Sequence, residues 1–300
     1  MANTERPNPV AAKVQNVADV KSWWAENPMT YGEVHGRDEF ADGKFERLDR
    51  AYFERLDQEF YSWNTPLHGH VPFSKIFPYG KYSDGAKVLE IGCGLGTMSM
   101  NWRKQGADIH SLDLNPTSVT RTRMRFQIMD LAPAKAIQGD GRFLPFPDAT
   151  FDYAYSWGVL HHSPDLDGSL QEMLRVIKPG GGFGLMLYNR QSFLHWYQTE
   201  YLQGFVHRES KFLNPVQLAS RYGDGGDQEG NPHTWPVTRD ELRIMLGPRS
   251  PDLDFKILGT DIDHSLDMFL LALGRRLPRF LKKPWARRYG WSIWAHGHKS

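Results

Sequence analysis

Val88-Leu-Glu90-Ile-Gly92-Cys93-Gly94-Leu-Gly96-Thr97 places three glycines at alternate positions behind a short apolar run and ahead of a helical pattern. Glycine tolerates positive φ and carries no Cβ, so a ligand can lie directly against the backbone of such a loop. The helix that follows offers its free N-terminal amides to the same ligand. Asp113 closes the next apolar run, 17 residues beyond Gly96. A carboxylate there can accept hydrogen bonds from both hydroxyls of a ribose. Loop and acid together point to a nucleoside-containing cofactor. The spacing is G-x-G-x-G and not the G-x-G-x-x-G of a dinucleotide fingerprint, and Glu90 stands beside it. That carboxylate repels a pyrophosphate but attracts a cation, which suits the ammonium and sulfonium of S-adenosylmethionine.

These residues need a scaffold, and the hydrophobic pattern predicts one. Short apolar runs at 87–91, 108–114, 134–138, 151–157 and 183–188 read as buried strands. Helices fall between them, at about 95–105, from Asn115-Pro116 onward, and from Ser163-Pro164 to about Ile177, where Lys178-Pro-Gly-Gly-Gly182 breaks the pattern. Such alternation argues for a parallel sheet with helices on both faces. Two more strands are expected at 254–260 and 291–297. Thr238-x-x-Glu241 is a capping box opening a helix to about Leu246. Upstream, helices are expected at about 16–26 and 40–62, the second from Phe45, Leu48, Tyr52, Leu56 and Phe60. Residues 189–237 show little regularity, and an insertion of that size is commonly a lid or a binding segment.

VLEIGCGLGT, the acid in SLDLNP, GDGRFLPFPDATFDYAYSWGVLHH and LRVIKPGGGFGLML resemble, in order, the successive motifs of class I S-adenosylmethionine-dependent methyltransferases. The resemblance covers roughly 86–188, and the two C-terminal strands are similar to the pair that closes that fold. It implies a Rossmann-like, doubly wound α/β sheet of seven strands with the last antiparallel. Carried over, Glu90, Gly92, Gly94 and Gly96, with Cys93 packed among them, form the cofactor loop. Asp113 holds the ribose and Leu114 packs on the adenine. Asp140, in Gly139-Asp140-Gly141, accepts from the adenine amino group, and Arg142 flanks the base. Ser156 and Trp157 line the methionine end. The implied domains are an N-terminal helical cap (1–78), a cofactor-binding core (79–188 and 251–300) and an insert (189–250) covering the substrate.

Methyl transfer from a sulfonium is an in-line displacement, so the protein mainly supplies alignment and, for a protonated acceptor, a base. His161 and His162 follow the fourth strand and can serve as that base or have a structural role. Tyr31 and Tyr188 are further candidates to face the pocket. His68 with His70, and His296 with His298, have metal-like spacing, but no carboxylate cluster accompanies them at helical or hairpin spacing, so no metal is expected. The chain has Ser156-Trp-Gly-Val where methyltransferases of nucleobase amines carry an Asn/Asp-Pro-Pro-aromatic turn.

Composition narrows the remaining classes. The chain has 300 residues, of which 40% are apolar and 24% charged, as in a globular protein. With 36 Lys+Arg against 35 Asp+Glu, no overall field favours nucleic acid. A single cysteine rules out an intramolecular disulfide framework. No apolar run approaches the roughly 20 residues of a membrane span, and no secretory core opens the chain, so a cytoplasmic protein is expected. The 13% of aromatic residues fits either a large core or a ring-lined pocket, and composition alone does not choose. A cap formed by the insert and the N-terminal helices over the implied fold favours a small organic acceptor methylated on O or N. The basic stretch 275–288 is either a solvated face, a peripheral membrane contact or an anionic substrate site, and its two prolines argue against a long amphipathic helix. The competing readings are a protein or RNA methyltransferase, an NAD(P) oxidoreductase, and a catalytically silent methyltransferase-like binding subunit.

Overall fold

A computed structural model describes residues 17–26, 49–224, 230–269 and 276–300. Its centre is a seven-stranded sheet: β1 Lys87–Ile91, β2 Asp108–Asp113, β3 Lys135–Gln138, β4 Phe151–Trp157, β5 Ile177–Tyr188, β6 Asp254–Leu258 and β7 Ser292–His298. The spatial order is β3-β2-β1-β4-β5-β7-β6. β1 to β5 pair in parallel, and β7 runs antiparallel to both β5 and β6. The resemblance implied this topology. The order reverses between β1 and β4, and this opens a crevice beyond the C-terminal ends of those strands.

Alternation along each strand divides the core between the two faces. Leu89 and Ile91 of β1, with Ala154 of β4, pack with Leu170, Met173 and Leu174 of α5 (Leu166–Val176) and Leu242 of α7 (Arg239–Leu246). Val88, Tyr153 and Tyr155 point the other way, into a cluster around Trp102, Phe126, Phe77 and Trp294. Trp102 belongs to α3 (Thr97–Lys104) and Phe126 to α4 (Pro116–Ile128).

Upstream, α1 spans Val17–Glu26 and α2 spans Arg50–Trp63. The Asp49 side chain accepts from the Tyr52 amide and caps α2, which fixes its start well after position 40; residues 40–48 of the expected helix lie outside the described ones. Two other boundaries differ. α5 begins at Leu166, capped by Asp165, because residues 160–162 first form a tight 3₁₀ turn. β5 begins at Ile177 and not at 183, since Gly180 and Gly181 find backbone partners in Lys299 near the C-terminus.

The segment after β5 is more regular than its sequence suggests. A π-helix covers His195–Val206, and α6 (Pro215–Tyr222) opens with a capping box between Asn214 and Gln217. After β6 come α8 (Ile262–Phe269) and α9 (Arg279–Tyr289), the latter with Pro284 inside it.

Candidate active site

The C-terminal ends of β1, β2 and β4 open on a cavity of about 370 Å³. The glycine loop forms its floor. Gly92 has φ of 84°, and a Cβ there would collide with the Val159 side chain, so only glycine keeps the loop against the turn after β4. At Gly94, also at positive φ, a Cβ would meet nothing within 4 Å. The Gly94 amide donates to Asp113 Oδ2 at 2.8 Å and the Asn115 amide to Oδ1 at 2.8 Å, which fixes the Asp113 carboxylate. Each oxygen keeps a lone pair for a further donor.

Glu90 is buried, and burial pushes its carboxyl up to about 8 even though Ser99 Oγ donates to it. Burial also raises Asp113. The two acids share the cavity wall, and a bound cation offsets what burial costs them. At Asp140 burial acts in the same direction, but Arg142 outweighs it: the guanidinium forks onto both carboxylate oxygens, with Nη2 to Oδ2 at 2.8 Å, and holds the acid below its ordinary range. Burial lifts the Cys93 thiol well above its usual range, so it packs in the loop as a small neutral group.

Most of the expected cofactor residues meet here: Glu90, Gly92, Cys93, Gly94, Asp113, Leu114, Asp140, Gly141, Arg142 and Trp157 all line the cavity. Gly96 and Ser156 are not among its lining residues. Gly96 caps α3 and packs on Thr122, while Ser156 is fully buried with its hydroxyl donating to the Ile91 carbonyl at 2.9 Å. Both hold the loop from behind.

Of the base candidates, His162 lines the cavity and His161 does not. His161 is fully buried, and burial with His162 and His233 beside it holds its imidazole well below the ordinary range. Tyr31 lies outside the described residues. Tyr188, at the end of β5, lines the cavity, and its hydroxyl donates to both oxygens of Asp224 at 2.8 Å. Asp224 Oδ2 stands 3.1 Å from His162 Nε2. The other ring nitrogen of His162, Nδ1, bonds the His233 carbonyl at 2.9 Å and so carries a proton. Tyr188, Asp224 and His162 thus cluster at the edge of the cavity, joined by a hydrogen bond from Tyr188 to Asp224 and a close contact of Asp224 with His162. No motif marks Asp224. It sits in the aperiodic Tyr222-Gly-Asp-Gly stretch, where no spacing marks it.

Ligating atoms of His161, His162 and Asp224 lie within 4.8 Å of one another, a grouping that sequence spacing did not reveal. Tyr188 donates to Asp224 within that group. At the far end of the sheet, His298 lies 2.6 Å from Asp252 and His296 lies 3.8 Å from Asp254. Carboxylates therefore do accompany that pair, each as a one-to-one contact.

The N-terminal elements roof the cavity. Val20 and Trp24 of α1, and Leu56, Phe60 and Trp63 of α2, line it. Asn115 ties this roof to the core, since its Nδ2 donates to the Trp24 carbonyl at 2.8 Å while its Oδ1 caps α4. The Trp24 ring meets His162 edge-on at 5.0 Å. Opposite, Trp291 packs 4.6 Å from the Tyr188 ring. None of these tryptophans was anticipated as a wall residue, because the contacts join segments about 90 positions or more apart.

Residues 89–185 match the model of the methyltransferase domain family. That match covers about a third of the chain, and with the sheet order and the acid-flanked glycine loop it supports a class I S-adenosylmethionine-dependent methyltransferase. Among curated proteins it is similar to the sterol 24-C-methyltransferase of Schizosaccharomyces pombe, with 34% identity over 60% of this chain and 54% of that one. A sterol 24-C-methyltransferase of Gibberella zeae is 28% identical over 72% of this chain and 57% of its own length. The malonyl-[acyl-carrier protein] O-methyltransferase of Serratia marcescens is 34% identical over 36% of this chain and 40% of its own. The chain spans about half the length of the sterol methyltransferases it matches. A solved methyltransferase from Methanosarcina mazei shares the fold, with a TM-score of 0.50 and 17% identity over 75% of this chain and 98% of that one.

Proposed function

We propose that this protein transfers a methyl group from S-adenosylmethionine to an O or N atom of a small organic molecule. The observation that carries the reading is one cavity lined both by Glu90 and Asp113 and by the Tyr188, Asp224 and His162 cluster. The residues fit the cofactor: buried acids suit its cationic end and its ribose, and the loop leaves open space at Gly94. Bound there, S-adenosylmethionine supplies an activated methyl group. Asp113 accepts from the ribose hydroxyls, Glu90 balances the cationic end, Asp140 faces the adenine amino group with Arg142 beside it, and Trp157 borders the methionine end. Tyr188 takes the acceptor's proton on its oxygen as its own proton passes to Asp224. His162, held by the His233 carbonyl, keeps Asp224 in place.

Six rings, from Trp24, Phe60, Trp63, Trp157, Tyr188 and Trp291, wall the cavity and exclude water. Helices α1 and α2 serve as the cap, and the insert contributes Asp224 and the His233–Thr234 turn behind His162. A second reading moves the acceptor atom to carbon, supported by the C-methyltransferase relatives and the apolar walls. The exposed basic residues of 276–288 support a peripheral membrane contact.

Transfer of labelled methyl from S-adenosylmethionine into size-fractionated extract tests the proposal, with Asp113→Ala protein as control. Label in the small-molecule fraction is the expected result. Label in protein or RNA overturns the substrate class. No transfer by a protein that binds the cofactor points to the silent binding subunit. Asp113→Ala is expected to weaken cofactor binding by about 2–4 kcal/mol, since two hydrogen bonds to a charged group are lost. An unchanged dissociation constant by calorimetry removes the ribose assignment.

A further inference from the structure

Apolar side chains scattered singly over a surface are ordinary, but a contiguous set marks a contact. Along the π-helix and the turn after it, Trp196 (49% exposed), Phe205 (73%) and Phe212 (84%) face solvent; on α9 so do Phe280 (72%) and Trp285 (49%). Trp196, Phe205 and Trp285 belong to one ribbon, with Phe212 and Phe280 exposed on the elements that carry it. Phe205 stacks on Tyr201 at 6.0 Å, Tyr201 on Trp196 at 5.8 Å, and Trp196 packs on Phe193 at 5.9 Å. Phe193 meets Trp285 edge-on at 6.4 Å, and Trp285 packs on Tyr289 at 5.6 Å. The ribbon thus crosses from the π-helix to α9 and ends two residues before Trp291, a wall of the cavity.

Positive charge frames the ribbon. Lys283, Arg287 and Arg288 are exposed on α9, Arg276 lies just before it, and Arg208 and Lys211 flank Phe212. The stretch 276–290 contains no acidic residue, in a chain whose net charge is only +1. The nearby acids have partners of their own: Asp263 pairs with Lys282, Glu209 accepts from Tyr222, and Glu200 lies 3.5 Å from His195. Tryptophan and tyrosine rings favour the headgroup level of a bilayer, phenylalanine favours the depth below it, and a basic rim favours anionic lipid. The exposed phenylalanines offer no hydrogen-bonding group to a nucleic-acid base or a polar protein epitope.

We infer that the face formed by the π-helix 195–206, Phe212 and α9 docks on the surface of an anionic lipid bilayer, with the aromatic ribbon inserted and the basic residues against the headgroups. Docking there sets the Trp291 side of the cavity at the lipid boundary. The inference stands on surface residues independently of methyl transfer, and its test reads binding and not turnover.

The test is co-sedimentation of the full chain with vesicles of phosphatidylcholine, alone and with a minority of phosphatidylserine, over a range of salt. Binding to the phosphatidylserine vesicles that weakens as salt rises is expected. The double variant Phe205→Ser, Phe212→Ser and the triple variant Lys283→Glu, Arg287→Glu, Arg288→Glu should each lose affinity by about tenfold or more while binding S-adenosylmethionine as the parent does. No binding to the anionic vesicles at low salt overturns the inference. So does full retention of binding in both variants. Ultracentrifugation showing self-association that the same variants abolish would reassign the face to a second copy of this chain.

Discussion

Glu90 and the Tyr188–Asp224 pair carry the most chemistry per residue. Burial holds Glu90 at about 8 against an ordinary 4.5. Between those values the folded protein keeps a proton that the unfolded chain has released, so Glu90 withdraws stability as pH rises through that window and no further above it. A cationic group bound beside Glu90 favours its ionised form. Cofactor binding below about 8 therefore expels a proton, and affinity rises with pH until about 8 and then levels. Asp113, also raised by burial, acts with the same sign. Calorimetry in buffers of differing ionisation enthalpy reads this directly; no proton release at neutral pH would mean that the cation sits elsewhere. Elsewhere on the cavity wall, Tyr188→Phe and Asp224→Asn should each lower kcat by about 100-fold or more and leave cofactor affinity unchanged. A matching loss of cofactor affinity would instead make the pair part of the cofactor site.

Helix α2 is locked to α4 by a buried pair. Arg125 is fully buried and bonds Asp57, and its Nη1 also donates to the Leu95 carbonyl at 3.1 Å and to Thr97 Oγ1 at 2.8 Å. The same guanidinium thus joins the roof helix, α4 and the end of the glycine loop. Arg125→Ala leaves the Asp57 charge uncompensated and should cost about 3–5 kcal/mol, measured by urea unfolding. It should also weaken cofactor binding through the loop, and a variant as stable as the parent would remove this account. The signal for α6 was available, since Asn214-Pro-Val-Gln217 has a capping residue, a proline at the first helical position and a glutamine at the third. The π-helix carried no capping signal, though Phe193, Tyr197, Tyr201 and Phe205 recur every four residues and stack in turn along it.

At the level of the whole molecule, the cavity draws on α1, α2, the ends of β1, β2, β4 and β5, Asp224, Thr260 and Trp291. A ligand there touches both halves of the described chain, so its binding free energy becomes folding free energy. Cofactor at 100 times its dissociation constant adds about 2.7 kcal/mol. The melting temperature should rise by several degrees, and by less for Asp113→Ala at the same concentration. A melting temperature that does not respond to S-adenosylmethionine would argue against occupancy of this cavity. No helix among the described residues is long and apolar enough to cross a membrane.

The strand-loop-helix of β1, the acid ending β2 and the strand-helix alternation were legible in the sequence because each is local. Period, capping residues and glycines act over a few positions, and an ordered series of such motifs pointed to the family and its sheet order. Gly96 and Ser156 were placed at the cofactor by position in a motif, and neither lines the cavity: Ser156 bonds the Ile91 carbonyl and Gly96 packs on Thr122. The pairing of Tyr188 with Asp224, the roof over His162, and the aromatic ribbon from Phe205 to Tyr289 were decided by the tertiary structure alone. Each depends on rings or charges from distant segments meeting across the C-terminal edge of the sheet. Only chain packing sets such distances, and local spacing carries no trace of them.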